Sequence, residues 1–196
     1  GRTIIRLTNQ DSGNIIFDKI DISNLSKSVI KKIRKDMQII FQDPFGSLNP
    51  RHSIEHIIAE PLLVHKYGTY AEIKKRVLQL LDQVGLPKDS MKLYPHEFSG
   101  GQRQRIAIAR AIALKPKFLI ADEAVSALDV SIQSQILNLI SDLVKEYNIS
   151  MVFISHDLSV IRHISSNIAI MKKGKIVEMG NTEKILKQPS HQYTQM

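Results

Sequence analysis

Phe98-Ser99-Gly100-Gly101-Gln102-Arg103-Gln104-Arg105 and, further along, Phe118-Leu119-Ile120-Ala121-Asp122-Glu123 decide how the rest of the chain is read. In the first string a Ser-Gly-Gly turn runs into a helix of small and apolar residues, Ile106, Ala107, Ile108, Ala109, Ala111 and Ile112. Exposed N–H groups and the positive end of a helix dipole then face outward, a socket for an anion. In the second, a short apolar run of the kind buried in a parallel sheet ends in two adjacent carboxylates, where such a sheet places its ligands. Hard oxygen ligands at that position suit a magnesium ion and a water.

Composition sets the outer bounds. The 196 residues are 43% hydrophobic and 23% charged, an ordinary globular balance with enough length for one sizeable core. Without cysteine there is no disulfide, thiolate metal site or cysteine nucleophile. No apolar run approaches the roughly 18 residues that span a bilayer, so a soluble or peripheral protein is expected. The formal charge of +8 comes from dispersed Lys and Arg, with one modest cluster from Lys27 to Lys35. No aromatic residues interleave with that cluster, as a single-strand nucleic-acid surface would require.

Outward from the two strings, each flank has a readable pattern. Gly1 to Leu7 reads as the tail of a helix ended by Asp11-Ser12-Gly13, Asn14 to Phe17 as a strand, and Leu25 to Lys35 as containing a short basic helix. Met37 to Phe41 is an apolar strand ending in Gln42, stopped by Asp43-Pro44. From Ser53 to Val84 the pattern is helical, and Ile73, Val77, Leu80, Leu81 and Val84 form one stripe that Gly85 and Pro87 close. His96 and Glu97 read as polar loop residues. A second amphipathic helix carries Ile132, Ile136, Leu139, Ile140, Leu143, Val144 and Tyr147 and is expected to pack on the sheet. Ser150 to Ile154 reads as a buried strand delivering Ser155-His156-Asp157; His52, His56, His65, His163 and His191 read as surface residues. A hairpin about Gly174 and a short helix from Thr182 to Lys187 follow.

Taken together, Ser99-Gly100-Gly101-Gln102, Asp122-Glu123 and Ser126-Ala127-Leu128-Asp129 resemble the signature motif, Walker B and D-loop of the ATP-binding cassette ATPases. Gln42 resembles their Q-loop glutamine and His156 their H-loop histidine. The string from Gln42 to Arg51, and the end from Gln188 to Met196, look like the cassettes of oligopeptide and dipeptide importers in particular.

The resemblance implies an α/β P-loop NTPase, a RecA-like parallel sheet core at 1–47 and 99–196 with a helical subdomain at 48–98 that contacts a membrane subunit. It implies ATP and Mg²⁺ as cofactors. Asp122 and Gln42 would hold the metal, Glu123 would act as general base on the attacking water, and His156 would stabilise charge on the γ-phosphate. Ser99, Gly100, Gly101 and Gln102 would face ATP held by the opposite cassette, with Asp129 at the seam. The implied partners are a second ATPase subunit, like or unlike, transmembrane permease subunits and, indirectly, an extracytoplasmic peptide-binding protein. The implied location is the cytoplasmic face of the cell membrane.

One departure stands out. The 196 residues contain no Gly-x-x-x-x-Gly-Lys-Ser/Thr loop, the element whose amides and lysine cradle phosphates. In peptide-importer cassettes that loop precedes a stretch like Gly1-Arg2-Thr3-Ile4. The chain is therefore expected to start just after it, to expose a gap in its sheet, and to bind ATP poorly by itself.

Two other functions fit parts of the pattern: a DNA-associated ATPase of the same superfamily, and a catalytically dead cassette serving as a binding module. The 56 residues between Gln42 and Ser99 hold no sustained heptads and no cysteine, which speaks against the coiled coil or zinc insertion of the first and for no nucleic-acid partner. Intact Asp122, Glu123 and His156 speak against the second.

Overall fold

A computed structural model describes residues 1–195. Met196, the last residue of the terminal importer-like segment, lies outside the described residues. Two compact units divide the chain, Gly1–Ile154 and a second beginning at Ser155.

The first unit is built on three parallel strands in the order β3 (Met37–Ile40), β4 (Phe118–Asp122), β5 (Ser150–Ile154). Their register pairs Ile40 with Ala121 and Asp122 with Ile154, so all three strands end at one rim. Leu119, Ile120 and Ala121 are buried, as a strand flanked on both sides must be. The expectation of a buried β5 is corrected: Val152, at its centre, is 36% exposed. Among the described residues β5 pairs with β4 alone, and composition cannot show whether an apolar strand lies at the edge of a sheet.

Ahead of the sheet, β1 (Ile16–Phe17) and β2 (Ile20–Asp21) form a minimal antiparallel hairpin. Asp18 and Lys19 turn it with φ of 49° and 66°, the left-handed pair that a two-residue turn demands. The basic helix appears as α1 (Lys27–Ile33). Gly1 to Leu7 forms consecutive turns closed earlier than Asp11-Ser12-Gly13. Arg6, at φ 56°, donates its N–H to Thr3 O, and Leu7 donates to Arg2 O, the bond pair that ends a helix. The closing signal thus sits on an arginine, which has no left-handed preference to read.

Asp43-Pro44 does more than stop a strand. Asp43 accepts a hydrogen bond from the Phe45 N–H and Pro44 takes the first position of a short helix, α2 (Pro44–Ser47). The helical stretch after Ser53 is two helices, α3 (Ile54–Val64) and α4 (Tyr70–Gln83), broken where Lys66 turns to φ 52°. Thr69 restarts the chain with a capping box, its hydroxyl accepting from the Glu72 N–H while its own N–H donates to the Glu72 carboxylate at 2.7 Å. Donation to this carboxylate by the Thr69 N–H and by the Thr69 hydroxyl, the latter at 2.8 Å, holds the Glu72 carboxyl below the usual glutamate range. Thr69→Ala is expected to cost about 1 kcal/mol, read as a lower urea midpoint at unchanged slope.

Ile73, Val77, Leu80, Leu81 and Val84 are all buried, and Gly85, at φ 69°, ends α4 as expected. Glu97 accepts from the Tyr94 N–H in a short 3-10 turn, the loop role expected of it. The long helices α5 (Gly100–Ile112) and α6 (Val130–Glu146) follow. α5 packs against α2, α3, α4, α6 and β3, which explains why Ile106, Ile108 and Ile112 are at most 1% exposed. Burial of each such side chain contributes about 1.5–3 kcal/mol.

The second unit comprises α7 (Leu158–Ile164), an antiparallel hairpin of β6 (Asn167–Lys172) and β7 (Lys175–Asn181), and α8 (Thr182–Lys187). Lys173 and Gly174, both at positive φ, make its two-residue turn. Asn181 caps α8 through a bond from the Lys184 N–H.

Candidate functional site

Gln42, Asp122 and Glu123 meet at the rim because β3 and β4 run in register, with Gln42 two residues beyond Ile40 and the carboxylates at the end of β4. The Gln42 amide Nε2 donates to Glu123 Oε2 at 2.6 Å, a contact made across 81 residues of sequence. Asp122 ends the strand and is partly buried. A Cβ added at Gly1 would lie 3.1 Å from Asp122 Oδ2, so the backbone of Gly1 runs close beside this carboxylate.

Glu123 has left the strand. Its φ is 50°, a conformation that costs a non-glycine residue about 1 kcal/mol and persists only where neighbours over-determine it. They do so here: its N–H donates to Ile154 O at 3.0 Å, and Ser126 N and Oγ both donate to its carbonyl, at 3.1 and 3.0 Å. The strained backbone turns the carboxylate toward Gln42.

The Ser-Gly-Gly string is a helix start whose bend falls at Ser99, with the two glycines as the first helical residues. Ser99 Oγ accepts from the Gln102 N–H while the Ser99 N–H donates to Gln102 Oε1 at 2.9 Å. In this conformation Gln102 therefore serves the cap. The N–H groups of Gly100 and Gly101 lie ahead of the intrahelical ladder, where an anion would find them.

The glycines differ in what demands them. A Cβ at Gly101 would lie 2.6 Å from Ile132 Cγ2, so α5 and α6 can cross this closely only without a side chain there. At Gly100 the nearest atom is Leu128 Cδ2 at 3.6 Å, ordinary contact. Steric fit explains the first glycine and leaves the second with room. Asp129 sits at the start of α6 and makes no side-chain capping bond.

His156 belongs to the second unit. It is exposed and lies between Ser155, whose hydroxyl accepts from the Asp157 N–H at 3.0 Å, and Asp157, which caps α7. Hydrogen bonds from the Ser159 hydroxyl and N–H hold the Asp157 carboxyl below its usual range. The segment presenting His156 is thus fixed on both sides by short-range bonds.

Several organising side chains escaped the sequence reading. Gln133 Nε2 donates to both Val125 O and Leu128 O at 3.0 Å, holding the loop between β4 and α6. Arg103 lays its guanidinium 3.9 Å from the centre of the Phe45 ring, and Arg110 donates to Ser47 O at 2.6 Å, so two arginines of α5 grip α2 just after Gln42. Burial lowers the Arg110 pKa, with the Glu60 charge opposing. Their seven-residue spacing, two helical turns on one face, was the available signal.

The donor set at the rim, an aspartate carboxylate and a glutamine amide oxygen with a glutamate beside them, consists of the hard oxygens that Mg²⁺ prefers, and the Gln42 bond uses the amide nitrogen. The residues present fit that ion.

Residues 2–126 match the family model described as ABC transporter. The chain is 52% identical over all 196 residues to the oligopeptide transport ATP-binding protein AppF of Bacillus subtilis strain 168, spanning 60% of its length. It is 50% identical over 194 residues to the glutathione import ATP-binding protein GsiA of Pectobacterium atrosepticum, spanning 31% of it. Among solved structures it superposes with a TM-score of 0.82 on the post-hydrolysis dimer of the cassette MJ0796 bound to ADP and Pi, at 29% identity over 92% of this chain and 78% of that one. With cbiO1 of Clostridium perfringens, part of the cbiONQ transporter complex, the TM-score is 0.84 at 29% identity, over 95% of this chain and 73% of that one. The carboxylate rim, the capped Ser-Gly-Gly helix and these likenesses place the fold and the chain together: it has the α/β fold of an ABC cassette and belongs to the ABC transporter family.

Proposed function

We propose that the chain serves as an ATP-hydrolysing component that powers import of small peptides through a membrane transporter. The observation that carries this reading is the convergence of Gln42, Asp122 and Glu123 at one strand-end rim. The printed names of AppF and GsiA, an oligopeptide transporter component and a glutathione importer component, support the substrate class, since glutathione is itself a short peptide.

In this reading Glu123 positions a water and takes its proton as the water oxygen attacks the γ-phosphorus and the bond to the β–γ bridging oxygen breaks. Gln42, bonded to Oε2, fixes the plane of the accepting carboxylate. Asp122 and the Gln42 amide oxygen would hold Mg²⁺, which when bound neutralises charge on the outer phosphates. His156 would contact the γ-phosphate. Ser99, Gly100, Gly101 and Gln102 serve the nucleotide of a second cassette, like or unlike this one, with Asp129 at the seam. Residues 48–98 form the helical subdomain against permease subunits, with an extracytoplasmic peptide-binding protein as indirect partner. No helix among the described residues is long and apolar enough to cross a membrane, which suits peripheral attachment at the cytoplasmic face.

The phosphate loop is absent from these 196 residues. Isothermal titration of the 196-residue chain with Mg-ATP is expected to show no micromolar site, whereas a polypeptide that also carries a Gly-Lys-Ser/Thr loop ahead of Gly1 is expected to bind and to release phosphate. Micromolar binding by the shorter chain would remove the loop from the mechanism.

A further inference from the structure

The basic cluster from Lys27 to Lys35 plays no part in the rim chemistry, and folding gives it an unexpected neighbour. Arg6, Lys27 and Arg34 line one pocket of about 320 Å³ in the first unit, together with Asn9 and an apolar floor that includes Leu25 and Ile30. None of the lining residues is acidic.

The two arginines are held in place by neutral groups. Arg6 Nη1 donates to Ile22 O at 3.0 Å, and Arg34 donates through Nε to Ile5 O at 3.4 Å and through Nη2 to Arg6 O. Backbone carbonyls orient a guanidinium and leave its charge in place. Arg6 Nε is buried without any hydrogen-bond partner, a donor whose desolvation nothing offsets. Three cations about one small concavity repel one another, and an anion seated among them removes that repulsion.

Charge and shape select the ligand. A single carboxylate brings one negative charge to three cations. A phosphoryl group brings close to two at neutral pH and offers three acceptor oxygens to guanidinium forks and an ammonium. The pocket is at the small end of ligand sites, with room for a phosphoryl group and a short organic remainder on the apolar floor.

We infer that Arg6, Lys27 and Arg34 form a binding site for a phosphoryl group, separate from Gln42, Asp122 and Glu123 and from the Ser99 helix start, supplied either as a free phosphate compound or as a lipid headgroup. The inference does not depend on the peptide-import reading.

The test titrates the full chain with pyrophosphate and with inorganic phosphate in the presence of EDTA, and floats it with phosphatidic acid vesicles, whose headgroup is a phosphomonoester. Saturable one-to-one binding is expected from at least one source. Loss of one charge-assisted contact should weaken it about tenfold in Lys27→Ala and in Arg6→Gln. Lys27 is exposed, so its variant keeps the wild-type melting temperature and separates ligand loss from unfolding. Lys32→Ala, on the same helix but outside the pocket lining, should bind as the wild type does. Flotation that pyrophosphate competes away would identify the headgroup as the source; pyrophosphate binding without flotation would identify a free compound. Absence of saturable binding to every probe, an equal loss in Lys32→Ala, or binding that survives Lys27→Ala and Arg6→Gln would each overturn the site.

Discussion

Glu123→Gln, in a polypeptide carrying the phosphate loop, is expected to lower phosphate release about 100-fold or more while ATP binding persists and the nucleotide-bound dimer accumulates. General bases contribute about 10²–10⁴-fold, and the substitution removes the basic oxygen while keeping size and planarity. The partner geometry tolerates it: an amide can still meet Gln42 by turning its oxygen toward the Gln42 Nε2 that now bonds Oε2. Stability should therefore stay within about 0.5 kcal/mol. Glu123→Gly separates the two roles of the position. It relieves the strain of φ 50° and should raise the melting temperature even as turnover is lost. Undiminished phosphate release in Glu123→Gln would take the proton away from this residue.

Arg76→Ala is expected to be the most destabilising single change, about 3 kcal/mol or more, seen as a large fall in the urea midpoint. Arg76 is 5% exposed. Its Nε and Nη2 donate to Ala113 O and Ile112 O, both at 3.2 Å, at the end of α5, and its Nη1 donates to the Tyr147 hydroxyl at 3.1 Å. The Tyr147 hydroxyl in turn donates a hydrogen bond to Gln83 Oε1 at 2.7 Å, and Gln83 Nε2 donates to Glu146 Oε1 at 2.8 Å. A single buried cation thus ties α4 to the carboxyl end of α5, where the helix dipole is negative. Each bond to a charged group contributes about 1.5–3 kcal/mol, and truncation strands two carbonyls and opens a cavity. Arg76→Met keeps most of the volume and isolates the hydrogen bonds; a loss below about 1 kcal/mol there would assign the effect to packing alone.

Arg76 also marks the limit of pattern reading. Ile73, Val77, Leu80, Leu81 and Val84 were legible as a buried stripe because each is apolar at helical spacing. Arg76 lies three residues from Ile73 on the same side, and a cation there reads as solvated until α5 brings its carbonyls. The break at Lys66, the helix end at Arg6 and the left-handed Glu123 were illegible for a related reason: positive φ was imposed on residues that do not ask for it. Gly85 and Gly174, which do ask for it, were read correctly.

The sequence by itself determined the three parallel strands to within one residue, the start of the Ser-Gly-Gly helix, and the family, because periodicity and short motifs are local properties that survive without neighbours. Only the tertiary structure decided that β5 has one paired edge, that Gly101 yields to Ile132, that Gln42 reaches Glu123, and that Arg6 joins Lys27 and Arg34 around a common pocket. Those facts depend on distances between residues far apart in the chain, and packing, not composition, sets such distances.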